Sequence, residues 1–295
     1  MLGLKEIRTR ITSITSTQKI TSAMKMVSAA KFHKAQETVL RYSVYSHKIF
    51  DILLQVAPTV NESDPQLSKW FIEPTELNSI ALIVLTSNSS MCGGFNLNLG
   101  KKIIEETPAL FGKAWSSGVD IFCLGKKGGD YLTKRGLNVL EVNTEIANNP
   151  NFANSSNFIE SLAKDYLSKK YDAVYVAYNQ FKTPALQIPT LKRILPFSIP
   201  KNETPKQVEP NLIFEPSKEY IMEVIMPTAL KTLFHETLLE NAVGEHGARM
   251  TAMHQATENA NELNKELKLQ YNKARQAAIT KEILEIVSGA EALKG

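Results

Sequence analysis

Glycine and proline are missing from two long stretches of this 295-residue sequence. Neither occurs between Gly3 and Pro58, 54 residues in a row, nor from Ala248 to Ser288, another 41. Pro costs a helix interior roughly 3 kcal/mol and Gly about 1, so their absence predicts two uninterrupted helices. At about 1.5 Å per residue the first alone would reach roughly 80 Å, far beyond an ordinary globular helix. Cysteine is scarce too: Cys92 and Cys123 stand at no metal-like spacing, which fits a reducing compartment and a core role. The longest purely apolar run, Ile80 to Leu85, has six residues, whereas a membrane-spanning helix needs about 20. The first ten residues carry charge by Lys5 and lack the apolar core of a secretory signal. A net charge of +4 is too mild to indicate nucleic acid by itself.

The charge is unevenly placed. Residues 1–41 hold eight Lys or Arg against Glu6 and Glu37, either a solvated face or a contact surface for acidic partner groups. In the same segment Leu4, Ile7, Ile11 and Ile14 recur at coiled-coil spacing. Polar Thr15 to Lys19 then interrupts, and the stripe is expected to resume one step over at Ile20, Met24 and Val27. A cleaner run follows from Ala35 through Val39, Tyr42, Ser46, Ile49 and Leu53 to Val56.

The other end reads alike, with Met253, Ala256, Ala260, Leu263, Leu267, Gln270, Ala274 and Ala277 alternating steps of 3 and 4. Upstream, a helix over 228–243 is expected to bend or loosen at Gly244 and Gly247. Two helices that enter and leave one compact domain must pair antiparallel. The C-terminal one is longer, so its last 12 or so residues, roughly 18 Å, lack a helical partner. That tip carries Ile283, Ile286 and Val287, within a stripe of Ile279, Ile283, Ile286, Ala290 and Leu293, and is expected to sit inside a partner's cavity.

The middle alternates strands and helices. SIALIVLT (79–86), VDIFCLG (119–125), LNVLEV (137–142) and DAVYVAYN (172–179) read as strands, with helices near 95–107, 126–135 and 155–169. This order argues a mostly parallel α/β sheet with crossover connections. Pro58, Pro65 and Pro74 bound it on one side and Pro196, Pro200, Pro205, Pro210 and Pro216 on the other. The expected division is a helix over 1–58, a Rossmann-like α/β domain over 75–199 and a helix over 217–295.

No motif for chemistry stands out. TSNSSMCGGFN (86–96) is a strand-to-helix loop whose amides could hold an anion, yet it lacks GxGxxG. LGKKGGD (124–130) is no P-loop, since no Lys-Ser/Thr pair follows its glycines. HETLLE (235–240) begins like a zinc-protease helix, but Leu239 stands where the second His would fall. His246 and His254 have no obvious third ligand and are expected to face solvent or a partner. The sequence predicts no catalytic residue, no cofactor and no metal.

Three segments carry a resemblance. IRTRITSITSTQKITSAMKMVSAAKFHKA (7–35), LTSNSSMCGGFN (85–96) and GEHGARMTAMHQATENA (244–260) with LQYNKARQAAITKEILEIVSGAEAL (269–293) resemble, in order, the opening, central and closing signatures of one family. It is the gamma subunit family of the rotary F-type ATP synthases. The resemblance implies an antiparallel coiled coil with an α/β domain at its foot, acting as an axle inside a hexamer of alpha and beta subunits. It implies a foot on the membrane ring of proteolipid subunits, beside the epsilon subunit, and a peripheral location on the cytoplasmic side of the bacterial inner membrane. Proton-driven rotation of the ring would force the catalytic sites through different nucleotide affinities while this chain performs no chemistry.

Carried over residue by residue, the resemblance implies partner contacts at Arg249 of the ARM motif, at Arg275 and Gln276 of KARQ, and at Thr280. Ile283 and Ile286 of the tip join them. One departure matters: the family's Asp-Arg-Gly-Leu before Cys-Gly-Gly is Asn88, Ser89, Ser90 and Met91 here, so an ionic contact by that loop is not expected. Two other classes stay open on the residues alone, a coiled-coil adaptor and an α/β protein whose arm grips RNA.

Overall fold

The computed structural model describes residues 3–56, 68–71, 73, 74, 76–197, 215 and 217–292. Leu293 of the apolar stripe and Pro58, Pro65, Pro200, Pro205, Pro210 and Pro216 lie outside them. The chain divides into two compact units, one from Met1–Ser28 with Met250–Gly295 and one from Ala29–Arg249. The helices α1 (Leu4–Val56) and α7 (Lys218–Ala292) each contribute to both.

The larger unit is built on a five-stranded sheet of order β3-β2-β1-β4-β5. Strand β1 (Ile80–Leu85) is buried at every residue, as a central strand covered on both faces must be. It pairs in parallel with β2 (Val119–Leu124) and β4 (Ala173–Thr183), and β2 pairs in parallel with β3 (Val139–Asn143). Between them run α2 (Phe95–Phe111), α3 (Ala114–Ser117), α4 (Lys126–Thr133), α5 (Glu145–Asn148) and α6 (Phe152–Leu167). One face of the sheet packs on α6 and α7, through Ile159, Leu162, Met226, Leu230 and Phe234. The other packs on α2 and α4, through Leu99, Ile103, Phe111 and Leu132.

The expected mixed α/β fold is present, with two corrections. A fifth strand, β5 (Leu186–Leu195), returns antiparallel to β4 as a hairpin. Pro189 masks it in the sequence. Proline is tolerated there because β5 is an edge strand with one unpaired side. The second correction concerns α7, which starts at Lys218 and runs without interruption through Pro227, Gly244 and Gly247. Met222, Met226 and Leu230 are almost fully buried around Pro227, so packing outweighs the roughly 3 kcal/mol proline penalty.

The two glycines allow close approach. A Cβ at Gly244 would lie 3.3 Å from the Phe95 ring, and one at Gly247 would lie 3.2 Å from Pro184 Cα and 3.3 Å from the Phe32 ring.

Candidate contact surfaces

In open parallel sheets, ligands bind in the crevice beyond the carboxyl ends of the strands, where the strand order reverses. Here the reversal lies between β1 and β4, and α7 covers the strand ends on both sides of β1: Asn241 Oδ1 accepts from Asn179 N of β4 at 3.1 Å. Leu238, Asn241, Ala242 and Glu245 of α7 stand over Leu85 and Leu124, leaving a cavity of about 10 Å³, too small for more than one water. The amides at the start of α4, which follows the Gly125 turn, are also taken. Asn88 Oδ1 accepts from Lys126 N at 2.9 Å, Ser87 O from Lys127 N at 3.1 Å, and Thr86 Oγ1 from Gly128 N at 2.9 Å. Gly128 is required for that last bond, since a Cβ would meet Thr86 Oγ1 at 2.6 Å. Among the described residues no cluster of His, Cys, Asp and Glu is placed to hold a metal.

Arg249 is 8% exposed and bonded within its own unit. Its guanidinium donates to Glu245 Oε1 at 2.8 Å and to Ser89 Oγ at 2.9 Å and Ser89 O at 3.3 Å. The loop that lost its charged pair thus docks on α7 through a neutral serine. Met91 at its tip is exposed with φ 67°, a left-handed conformation that non-glycine residues rarely adopt. Burial pushes the Glu245 carboxyl up, against the opposing pull of Arg249. Burial, then Arg249 and Lys31, push His246 down to about 4. His246, expected to face solvent or a partner, is half-buried, and its Nδ1 is buried without a hydrogen-bond partner. The Glu245–Arg249 ion pair was missed in the sequence, where its i,i+4 spacing was the available signal; the docking of Ser89 carried none.

The smaller unit is an antiparallel helix pair with a polar seam. Thr15 Oγ1 accepts from Asn264 Nδ2 at 3.0 Å, Gln18 Nε2 donates to Asn261 Oδ1 at 2.6 Å, and Thr257 Oγ1 donates to Thr21 Oγ1 at 2.8 Å. Lys25 Nζ lies 3.2 Å from Nδ1 of the exposed His254. The expected sideways step of the stripe does not occur. Ile7, Ile11, Ile14, Gln18, Thr21 and Ser28 keep one heptad seam, while Ile20 is 60% and Val27 57% exposed. On α7 the seam runs through Met253, Thr257, Ala260, Asn264, Leu267, Tyr271, Ala274 and Ala278, so Leu263, Gln270 and Ala277 were placed one residue off. A strict 3.5-residue period, held through polar residues, wins over hydrophobicity.

Beyond the seam α7 stands bare. The offset of the cross-helix pairs sets Leu4 level with Arg275, and every described side chain from Ile279 onward is exposed. Arg275, Gln276 and Thr280 are exposed, Ile283 is 55% and Ile286 70% exposed, and Leu284 and Val287 are exposed beside them. The structure therefore separates the sequence-derived residues into five on a free helix end and Arg249, bonded inside the α/β unit.

A family model described as ATP synthase matches residues 3–293. The ATP synthase gamma chain of Flavobacterium psychrophilum is 44% identical over 295 residues, covering 100% of both chains. That of Cytophaga hutchinsonii is 44% identical over 298 residues, covering 99% of both. Among solved structures, a chain of the Euglena gracilis mitochondrial ATP synthase, in an OSCP/F1/c-ring assembly, gives a TM-score of 0.68 at 18% identity, covering 98% of this chain and 94% of that one. A chain of the Tetrahymena thermophila mitochondrial ATP synthase central stalk and c-ring gives 0.58 at 21% identity, covering 80% and 99%. At these identities the structural likeness speaks for the fold, and the sequence match across the whole length speaks for descent: the chain belongs to the ATP synthase gamma chain family.

Proposed function

We propose that this chain, as the gamma subunit and central-stalk rotor of an F-type ATP synthase, makes its rotary contact with the alpha and beta subunits through the free end of α7. The observation that carries this reading is the apolar stripe of Ile279, Ile283, Ile286 and Val287, exposed where no described helix of its own chain packs on it. A bare stripe of this kind is an aggregation liability unless another chain covers it. A sleeve that lets a shaft turn favours apolar contact, because non-directional attraction changes little as one surface slides over another. Arg275, Gln276 and Thr280 sit at the base of the stripe. There, charge-assisted hydrogen bonds to the surrounding subunits act as a latch that forms only at certain angles. The α/β unit meets the membrane ring of proteolipid subunits and the epsilon subunit, on the cytoplasmic side of the bacterial inner membrane. Rotation of the ring then alters the relative stability of the catalytic conformations, and the chemistry stays with the hexamer.

Reconstitution with alpha and beta subunits tests the contact. Ile283→Asp places a charge in a dry sleeve and is expected to lower the yield of assembled complex about tenfold or more. Arg275→Ala or Gln276→Ala is expected to slow ATP turnover per complex while the melting curve of the free chain stays unchanged. Normal assembly and turnover in all three variants would overturn the assignment of this end of α7 to the hexamer.

A further inference from the structure

Two kinds of contact hold α7 where it crosses the α/β unit. Met222, Met226, Ala229, Leu230, Phe234 and Leu238 bury an apolar face against the sheet, a contact that resists separation but has no preferred direction. Directional bonds are interleaved with that face. Lys231 Nζ pairs with Glu160 at 2.7 Å, and His235 Nδ1 lies 2.8 Å from Ser155 Oγ, both on α6. Then Glu240 Oε1 accepts from Phe181 N and Asn241 Oδ1 from Asn179 N, each at 3.1 Å.

Those two amides belong to β4 beyond Ala177, the last residue that pairs with β1. Side chains of α7 therefore stand in for the missing strand. Gly244 and Gly247 follow on the same face as Glu240 and seat the helix backbone against Phe95, Pro184 and Phe32. At 100° per residue, Glu240 lies about 140° around the helix from His235. Oriented bonds thus grip α7 from nearly opposite sides, and it cannot roll without breaking one set.

We infer that this collar, α6 at Lys231 and His235 and the β4–β5 hairpin at Glu240 and Asn241, is the torque joint of the rotor, where turning force on the α/β domain enters α7. The inference rests on the rotor reading above. Burial raises the affinity of Glu240 for its proton, and the bond from Phe181 N opposes that, so a neutral amide at this position would keep the same acceptor.

The test uses the complete ATP synthase containing this chain, in liposomes, and reads protons pumped per ATP hydrolysed with and without an opposing pH gradient. Glu240→Leu is expected to leave hydrolysis per assembled complex near wild type while lowering the pumping ratio about fivefold against the gradient, the weight of one ordinary hydrogen bond. Glu240→Gln is expected to restore the ratio, which a loss of packing alone would not explain. Asn241→Ala provides a milder second break should Glu240→Leu prevent assembly, with faster exchange of the Asn179 amide showing that the bond is gone. An unchanged pumping ratio in assembled complexes of either variant would overturn the torque joint. Failure of the wild-type chain to assemble with alpha and beta subunits would overturn the rotor reading instead.

Discussion

Gln18 and Asn261 face each other across the helix pair, the amide of one donating to the carbonyl of the other at 2.6 Å. An aliphatic seam tolerates a slip of one heptad, because each apolar side chain finds a similar hole. An amide pair does not, since a slipped register strands both groups. Asn264 Oδ1, buried with no partner, shows that the polar layer is not optimised for stability.

The first prediction follows from that pair. Asn261→Ala leaves Gln18 without its acceptor and is expected to cost about 1 kcal/mol in urea unfolding of the whole chain. The double variant Gln18→Leu with Asn261→Leu is expected to be neutral or stabilising. A double variant as unstable as the single one would show that the pair contributes more than register.

Arg249 offers the second. Arg249→Met strands the Glu245 carboxylate in a buried site and is expected to destabilise the α/β unit by about 3 kcal/mol. Adding Glu245→Leu should recover most of the loss. Thermal denaturation of the four members of this cycle measures the coupling, and strict additivity would contradict it.

The third concerns pH. His235 and His246 are both pushed down by burial, so the folded chain binds their protons less tightly than the unfolded chain. Their stabilising contribution is complete above the unfolded value near 6.5 and falls as pH drops, towards about 4 for His246. Glu245 works in the opposite sense: its raised affinity for a proton favours the fold at low pH and weakens it as pH climbs. Urea midpoints are expected to rise from pH 5 to pH 7, and His246→Gln should flatten that rise. An equal slope in the variant would remove His246 from the account.

A fourth compares two helical glycines of α7. Gly247→Val is expected to cost about 2 kcal/mol, because its Cβ already meets Pro184 and Phe32 inside ordinary contact distance. Gly289→Ala has open space around it and should raise helicity of the free end instead. Circular dichroism and melting of both variants check the contrast.

The terminal helices and four of the strands were legible because helix breakers and apolar runs are local signals. The hairpin strand β5 was not, since Pro189, Lys192 and Arg193 disguise its alternation. The seam was misread where residue type and geometry disagree: Thr21 is buried and Ile20 exposed because position on the heptad decides which side chain meets the other helix. For the contact residues, sequence reasoning expected an unpartnered tip with Ile283 and Ile286 and took Arg275, Gln276 and Thr280 from the resemblance, but had no means of binding Arg249 to Ser89, 160 residues away. Glu240 and Asn241 were equally silent, because their partners are backbone amides, which every residue but proline carries.

The filled crevice above the sheet has a consequence for a machine that works among nucleotides. A fold of this topology elsewhere keeps a vacancy at that spot and gives it to a cofactor. Here the tenant is α7, with Asn241 and Glu245 in residence, while Thr86, Ser87 and Asn88 occupy the amides at the start of α4. A nucleotide could enter at that spot only by displacing α7. Where another protein of this topology would need a bound molecule to close the top of its sheet, this chain closes it with a segment of its own, so that part of the fold is completed from within.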